Sequence, residues 1–202
     1  GLTRYRRAGA GLSASKCGVA VRFLAVFVLV TAVFGILPAS TAAAGRVTVC
    51  GDSCDYTSIQ AAIAGVDPGG RIDVLEVEHT ESGILVDKDV TIAGLGASDT
   101  IVQAHSTSGE ASTRVFEIAV GADVKIQDLA VRHGYVSGSS ANGGGILSHG
   151  RLTLQRVAIT ANEVAGLAGS VGGSARGGGV YSDGELWVYD STINGNMARG
   201  GG

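Results

Sequence analysis

The side chains able to move protons or hold charge are few in this chain. Carboxylates stand close together at Asp87 and Asp89 and again at Asp183 and Glu185, with Asp99 between the two pairs; the candidate bases are Arg132, His133 and His149. A carboxylate beside a base is the minimum for general acid–base work. A lone histidine at a strand end reads as a turn residue, however, and His79 and His105 have no companions at metal-ligand spacing. No catalytic residue and no metal site is therefore assigned. Trp187 and Tyr189 stand at i and i+2, on one face of a strand and opposite Leu186 and Val188. The matching positions are Thr153 and Gln155 one repeat earlier, and Lys125 and Gln127 before that, all outward types. Two outward aromatics among polar neighbours could stack on sugar rings. The plainer alternative is packing beneath an insertion loop or a further coil.

The elements that must position these residues are repeats. The stretch GGGILSHGRLTLQRVAITAN (Gly143–Asn162) recurs as GGGVYSDGELWVYDSTINGN (Gly177–Asn196). The frame slides back onto Ile118, Val124, Ile126, Leu129 and Val131, and again onto Ile84, Val90, Ile92 and Leu95. Copies of one apolar template in register predict stacked coils. Equivalent residues then lie on neighbouring strands about 4.8 Å apart. One inward column is predicted as Ile84, Ile118, Ile146 and Val180. Two more are Val90, Val124, Leu152 and Leu186, beside Ile92, Ile126, Leu154 and Val188. Each buried aliphatic is worth about 1.5–3 kcal/mol, so these columns set the fold.

Charge follows the same frame. Asp123, Arg151 and Glu185 share one position, and Asp128, Arg156 and Asp190 share another. Both columns run minus, plus, minus. Opposite charges across neighbouring strands stabilise and like charges there do not, so each arginine is expected between two carboxylates as register control rather than catalysis. Asn162 and Asn196 follow the third strand at matching points and predict a ladder at a left-handed bend. Neither begins N-x-[ST], which excludes glycosylation there. Gly143–Gly145 and Gly177–Gly179 precede no Lys-Ser/Thr and no helix, so they read as turns rather than as a phosphate loop.

Composition agrees with a narrow core. The 202 residues are 45% hydrophobic, with 33 Gly, only 2 Pro and 5% aromatics, so apolar bulk comes from branched and small side chains. Glycine lacks a strict triplet, which excludes collagen. The net charge of −3, with no basic cluster after the N-terminal segment, argues against nucleic acid as a partner.

Residues 1–44 read as a signal peptide. Arg4, Arg6, Arg7, Lys16 and Arg22 precede the apolar run Phe23–Leu37, and Ala42-Ala43-Ala44 ends the segment before Gly45. The run is shorter than the ~20 residues a membrane span prefers. Cys50 and Cys54 are then an even pair in an exported chain, expected as a disulfide staple. Residues 45–70 form an N-terminal cap whose YTSIQAAIAGV carries apolar residues at i, i+3, i+4 and i+7. That spacing predicts a helix over 57–66, with Thr57 as N-cap and Asp67-Pro68-Gly69-Gly70 as its stop. Beyond it, RIDVLEV, GILV, DVTIAGLG, DTIVQA and RVFEIAV alternate as strands. The spacing from Val90 to Val124 is 34, from Val124 to Leu152 is 28 and from Leu152 to Leu186 is 34. Tyr135–Asn142 and Glu163–Arg176 supply the variation and read as loops leaving the stack on one side.

From Tyr56 to Val102 the sequence resembles the opening segment of right-handed parallel β-helix proteins of the pectin-lyase-like superfamily, which show an I-Q-A-A-I helix, a P-G turn and a K-x-[VI]-T-I-x-G strand. The later GGG[IV]…I-x-x-N copies are similar to the repeats of polymorphic outer-membrane proteins, with Gly145 and Gly179 where those carry Ala and Ile159 and Ile193 where they carry Phe. The resemblance implies an all-β fold, a right-handed parallel β-helix (solenoid) over residues 71–202 with a short N-terminal capping helix. Ala198–Gly202 repeats the opening of a coil at Ala175–Gly179, and the chain starts at Gly1, so a fragment truncated at its C-terminus is expected.

Enzymes of that superfamily include polysaccharide lyases, which pair an Arg or Lys base with acids holding Ca²⁺, and hydrolases, which need paired acids. Arg132-His133-Gly134 resembles the G-H-G segment of polygalacturonases, but their acidic partner motifs have no counterpart here. The expected function is therefore a secreted or cell-surface (outer-membrane) protein, non-enzymatic, serving adhesion or contact with extracellular polysaccharide or a host or neighbouring cell. It needs no cofactor, and meets membrane only through the signal segment or a C-terminal anchor. The alternative is a lyase or hydrolase of uronate-containing polysaccharide, the only case calling for Ca²⁺.

Overall fold

The computed structural model describes residues 45–167, 169 and 173–201; the predicted signal peptide lies outside the described residues. Their regular structure is short parallel strand, numbered β1–β20 in chain order, with one helix. The longest sheet runs β1 (Arg46–Val49), β2 (Gly70–Val74), β5 (Val90–Ala93), β8 (Asp123–Gln127), β13 (Arg151–Gln155) and β18 (Leu186–Tyr189). A second stacks β4 (Ile84–Val86), β7 (Phe116–Ile118), β12 (Ile146–Ser148) and β17 (Val180–Ser182). A third stacks β3 (Glu78–Thr80), β6 (Ile101–Gln103), β9 (Ala130–Arg132), β14 (Ala158–Thr160) and β19 (Thr192–Asn194). Neighbouring strands in each sheet belong to successive repeats. The chain thus winds in rungs, an arrangement compatible with a parallel β-helix.

Register follows the apolar columns. Leu152 pairs with Val124 on one side and Leu186 on the other, and Leu154 with Ile126 and Val188. Val90 and Ile92 pair with Val124 and Ile126. Of these, Ile92, Val124, Ile126, Leu152 and Leu154 are wholly buried. One column differs from expectation. Ile84 and Ile146 face Phe116, and Ile118 instead pairs with Val86 and Ser148. Ala119–Ala122 makes that turn two residues longer than His149-Gly150, so counting back from Val124 lands two residues late. A slip of two keeps the inward face, and both Phe116 and Ile118 are buried. Leu95 also departs from the frame and is 62% exposed. The bend before β6 is lengthened, and buried Thr100 precedes Ile101 where the frame placed Leu95; its hydroxyl accepts from the Leu95 N–H at 3.0 Å.

The segments read as variable loops are not merely loops. β10 (Tyr135–Gly138), β15 (Glu163–Gly166) and β20 (Met197–Arg199) form a three-stranded sheet, and β11 (Ser140–Asn142) pairs with β16 (Ser174–Arg176). Small residues meet in register, Ala141 on Ala175 and Val164 on Val136, so backbone pairing extends each rung.

The helix α1 (Ile59–Gly65) is shorter than predicted and is capped by Ser58, not Thr57: the Ser58 hydroxyl accepts from the Ala61 N–H. It buries Ile59, Ala62 and Ile63 against the first rung. Three side chains hold it there. Glu81 accepts from the Ser58 hydroxyl at 2.8 Å and from the N–H groups of Ile59 and Gln60 at 2.7 and 3.1 Å. The Gln60 amide exchanges two bonds with the Leu85 backbone at 2.7 and 3.1 Å, as a paired strand residue would. Lys88 donates to the Val66 carbonyl at 3.3 Å, near the negative end of the helix.

Candidate functional site

A groove of ≈ 450 Å³ follows the turns that join the second sheet to the first. Its lining includes Asp89, Asp123, Arg151 and Glu185, each at or just before the start of a strand of the long sheet, together with His149. The floor is nearly side-chain-free. A Cβ on Gly150 would lie 2.5 Å from the carbonyls of both Ala119 and Ala122, and one on Gly184 would lie 2.0 Å from the Gly150 carbonyl. Only glycine lets successive turns approach so closely.

The first charge column forms one wall. Arg151 donates from Nη1 to Asp123 at 3.1 Å and from Nε to Glu185 at 3.2 Å. These bonds, Asp123 first, hold its guanidinium above the ordinary arginine range. Its guanidinium also lies over the Trp187 ring, 5.3 Å from the centroid. Asp89 accepts from the Asp123 N–H at 2.8 Å. Among the described residues, Asp89 Oδ2, Asp123 Oδ1 and Glu185 Oε1 accept no hydrogen bond.

The second charge column is only half as expected. Arg156 forks onto Asp128 at 2.5 and 2.8 Å but makes no salt bridge to Asp190. One bidentate carboxylate occupies the guanidinium fork, leaving Asp190 a longer-range attraction. The Arg156 bond draws Asp128 below the usual carboxylate range. Asp128, Arg156 and Asp190 all have left-handed backbone, so this column also marks a bend.

The remaining candidates separate. His149 Nδ1 sits 2.8 and 3.0 Å from the two oxygens of Asp183, an acid–imidazole pair at the groove. The repeat spacing of 34 that sets Ile146 on Val180 also sets His149 on Asp183, so the pairing was legible. Arg132 is held by Gln103 at 2.8 Å and Glu78 at 2.7 Å. His133 occupies a left-handed bend with its ring on the His105 carbonyl. Asp99 lies in the lengthened bend, accepting from Ser98. Trp187 and Tyr189 are 41% and 53% exposed, so no described insertion loop covers them. Cys50 and Cys54 are disulfide-bonded, with Cα atoms 5.5 Å apart.

One polar site escaped the sequence reading, and another, the asparagine ladder, is placed differently from expectation. His79 is 5% exposed, and its ring lies 2.7 Å from Glu76 and 2.8 Å from Glu81, an E-x-x-H-x-E pattern that metal spacing rules ignore. Burial alone would lower its pKa, but the bonds to Glu81 and Glu76 outweigh it and leave it raised. For Glu81 burial is likewise outweighed, by His79, Ser58 and the helix N–H groups, and its pKa is lowered. The asparagine ladder is inward rather than at the bend itself. Ala161 and Gly195 take the left-handed conformation. Buried Asn162 bonds the carbonyls of Val131 and Thr160, the Asn196 amide and the Gly134 N–H.

Among the described residues no three His, Cys, Asp or Glu side chains are grouped to hold a metal, and no helix is long and apolar enough to cross a membrane. No protein-family model matches this chain, and no curated protein is detectably similar to it.

Proposed function

We propose that this chain is a right-handed parallel β-helix of the pectin-lyase-like superfamily, exported to the cell surface or beyond, which contacts carbohydrate without cleaving it. The observation that carries this is the contact of Trp187 with Arg151 at the wall of the groove, with Tyr189 on the same face of β18. Trp187 is steadied from one side by Arg151. A rigid aromatic beside a few fixed polar groups is the usual makeup of a sugar-contacting surface. The acids of the wall support a binding reading because Arg151 holds two of them in fixed positions. Trp187→Ala should weaken retention on immobilised polysaccharide at least about tenfold, equivalent to about 1.4 kcal/mol, while leaving the thermal midpoint nearly unchanged. Equal retention of both proteins would remove the reading.

One observation favours a second reading, a polysaccharide lyase or hydrolase. Asp183 orients His149 through Nδ1, which is how an imidazole is prepared as a general base. Unsaturated or reducing-end products that vanish in His149→Ala would support it. The described acids do not converge as a cation site, so no Ca²⁺-dependent step is drawn through them.

A further inference from the structure

Resting on the carbohydrate-contact reading, the geometry points to a neutral, hydroxyl-rich glycan as the occupant of the groove, and against a polyuronate. The lining holds three carboxylates, Asp89, Asp123 and Glu185, against one guanidinium, Arg151, and the imidazole of His149. Asp183 adds a fourth carboxylate behind that imidazole. Arg151 is the cation a uronate would seek, and it is already shared between Asp123 and Glu185 and laid against Trp187. A sugar carboxylate entering here would displace one of those acids or sit among them, and like charges brought together in an interface are strongly disfavoured. Lys88, between Asp87 and Asp89 in sequence, is turned away onto the helix carbonyls. Lys125 stands two strands from Trp187 on the sheet face, outside the groove lining.

What the groove offers is acceptors. Asp89 Oδ2 and Asp123 Oδ1 have free lone pairs on adjacent rungs, about 4.8 Å apart, and Glu185 Oε1 has one two rungs further on, beyond Arg151. Sugar hydroxyls donate to ionised carboxylates in short, charge-assisted bonds, while the apolar face of a pyranose packs on Trp187.

The test is affinity electrophoresis and calorimetry of the full chain with neutral glucans and galactomannans against polygalacturonate and alginate, each with Ca²⁺ and with EDTA. Expected is binding to a neutral polymer that falls at least about tenfold in Trp187→Ala, with none to the polyuronates in EDTA. The variant D123N/E185Q should then weaken the neutral ligand and gain polygalacturonate binding, since it removes two negative charges and releases Arg151. Polyuronate binding by the unaltered chain in EDTA, lost in Trp187→Ala, overturns this inference and leaves carbohydrate contact standing. Polyuronate binding that requires Ca²⁺ and disappears in E185Q overturns it too. Failure to bind any glycan overturns the underlying reading itself.

Discussion

Replacing His79 with alanine should loosen the helical cap at the start of the stack. The imidazole is buried between Glu76 and Glu81, and Glu81 in turn holds the first turn of α1 through Ser58, Ile59 and Gln60. The helix itself carries no charged residue, and the other nearby acid, Glu78, is occupied by Arg132. Removing one partner of a buried charged pair costs about 3–5 kcal/mol. Glu81 keeps its helix donors, which places the expected loss near the lower end, about 3 kcal/mol. For a chain of this size that is a fall in Tm of about 6–12 °C. The pH dependence has a definite sign. The raised pKa of His79 makes its contribution complete below the unfolded value near 6.5 and lost as pH rises through the folded value. The lowered pKa of Glu81 makes its contribution complete above the unfolded value near 4.5 and lost as pH falls through the folded one. Greatest cap stability therefore lies between about pH 4.5 and 6.5. Thermal melts across pH, with hydrogen exchange at the amides of Ile63 and Val66, measure it directly. A melting temperature for His79→Ala within about 2 °C of wild type, or cap protection factors in the wild type that stay flat from about pH 6 to 9, would refute the argument.

Three other outcomes are expected. Gly150→Ala presses a methyl onto two backbone carbonyls that cannot yield, and should lower stability by about 1–3 kcal/mol or prevent folding, read from a urea melt. Asn162→Ala leaves the buried Gly134 N–H without its acceptor, a loss of about 1–3 kcal/mol for that group alone, checked by exchange at Gly134. N-terminal sequencing of exported protein should begin at Gly45; retention of residues 1–44 would favour an anchor.

The apolar columns were legible because aliphatic residues recur at fixed offsets within each repeat and strand period hides nothing. Leu152 over Leu186 and Ile92 over Ile126 follow from counting alone. Counting failed where turn length changed, at Phe116 and Leu95, because a template cannot register extra turn residues. It failed also for β10, β11, β15 and β16, whose Gly, Ser and Ala carry little strand propensity. Those strands exist because a neighbouring rung offers matching backbone donors and acceptors. At the groove, the charge column was visible as alternating sign and His149 over Asp183 as a shared spacing. The bridging of Glu76 and Glu81 by His79 was not, since nothing in a linear pattern shows that an imidazole is buried.

Gln60 gives the molecule a direction. By imitating a strand's peptide group against Leu85, it acts as a blind terminus: the backbone groups of Leu85 that would template an incoming chain are already taken. Accretion at that margin of β4 is thus halted by one amide, without Pro, a bulge or a ring of lysines.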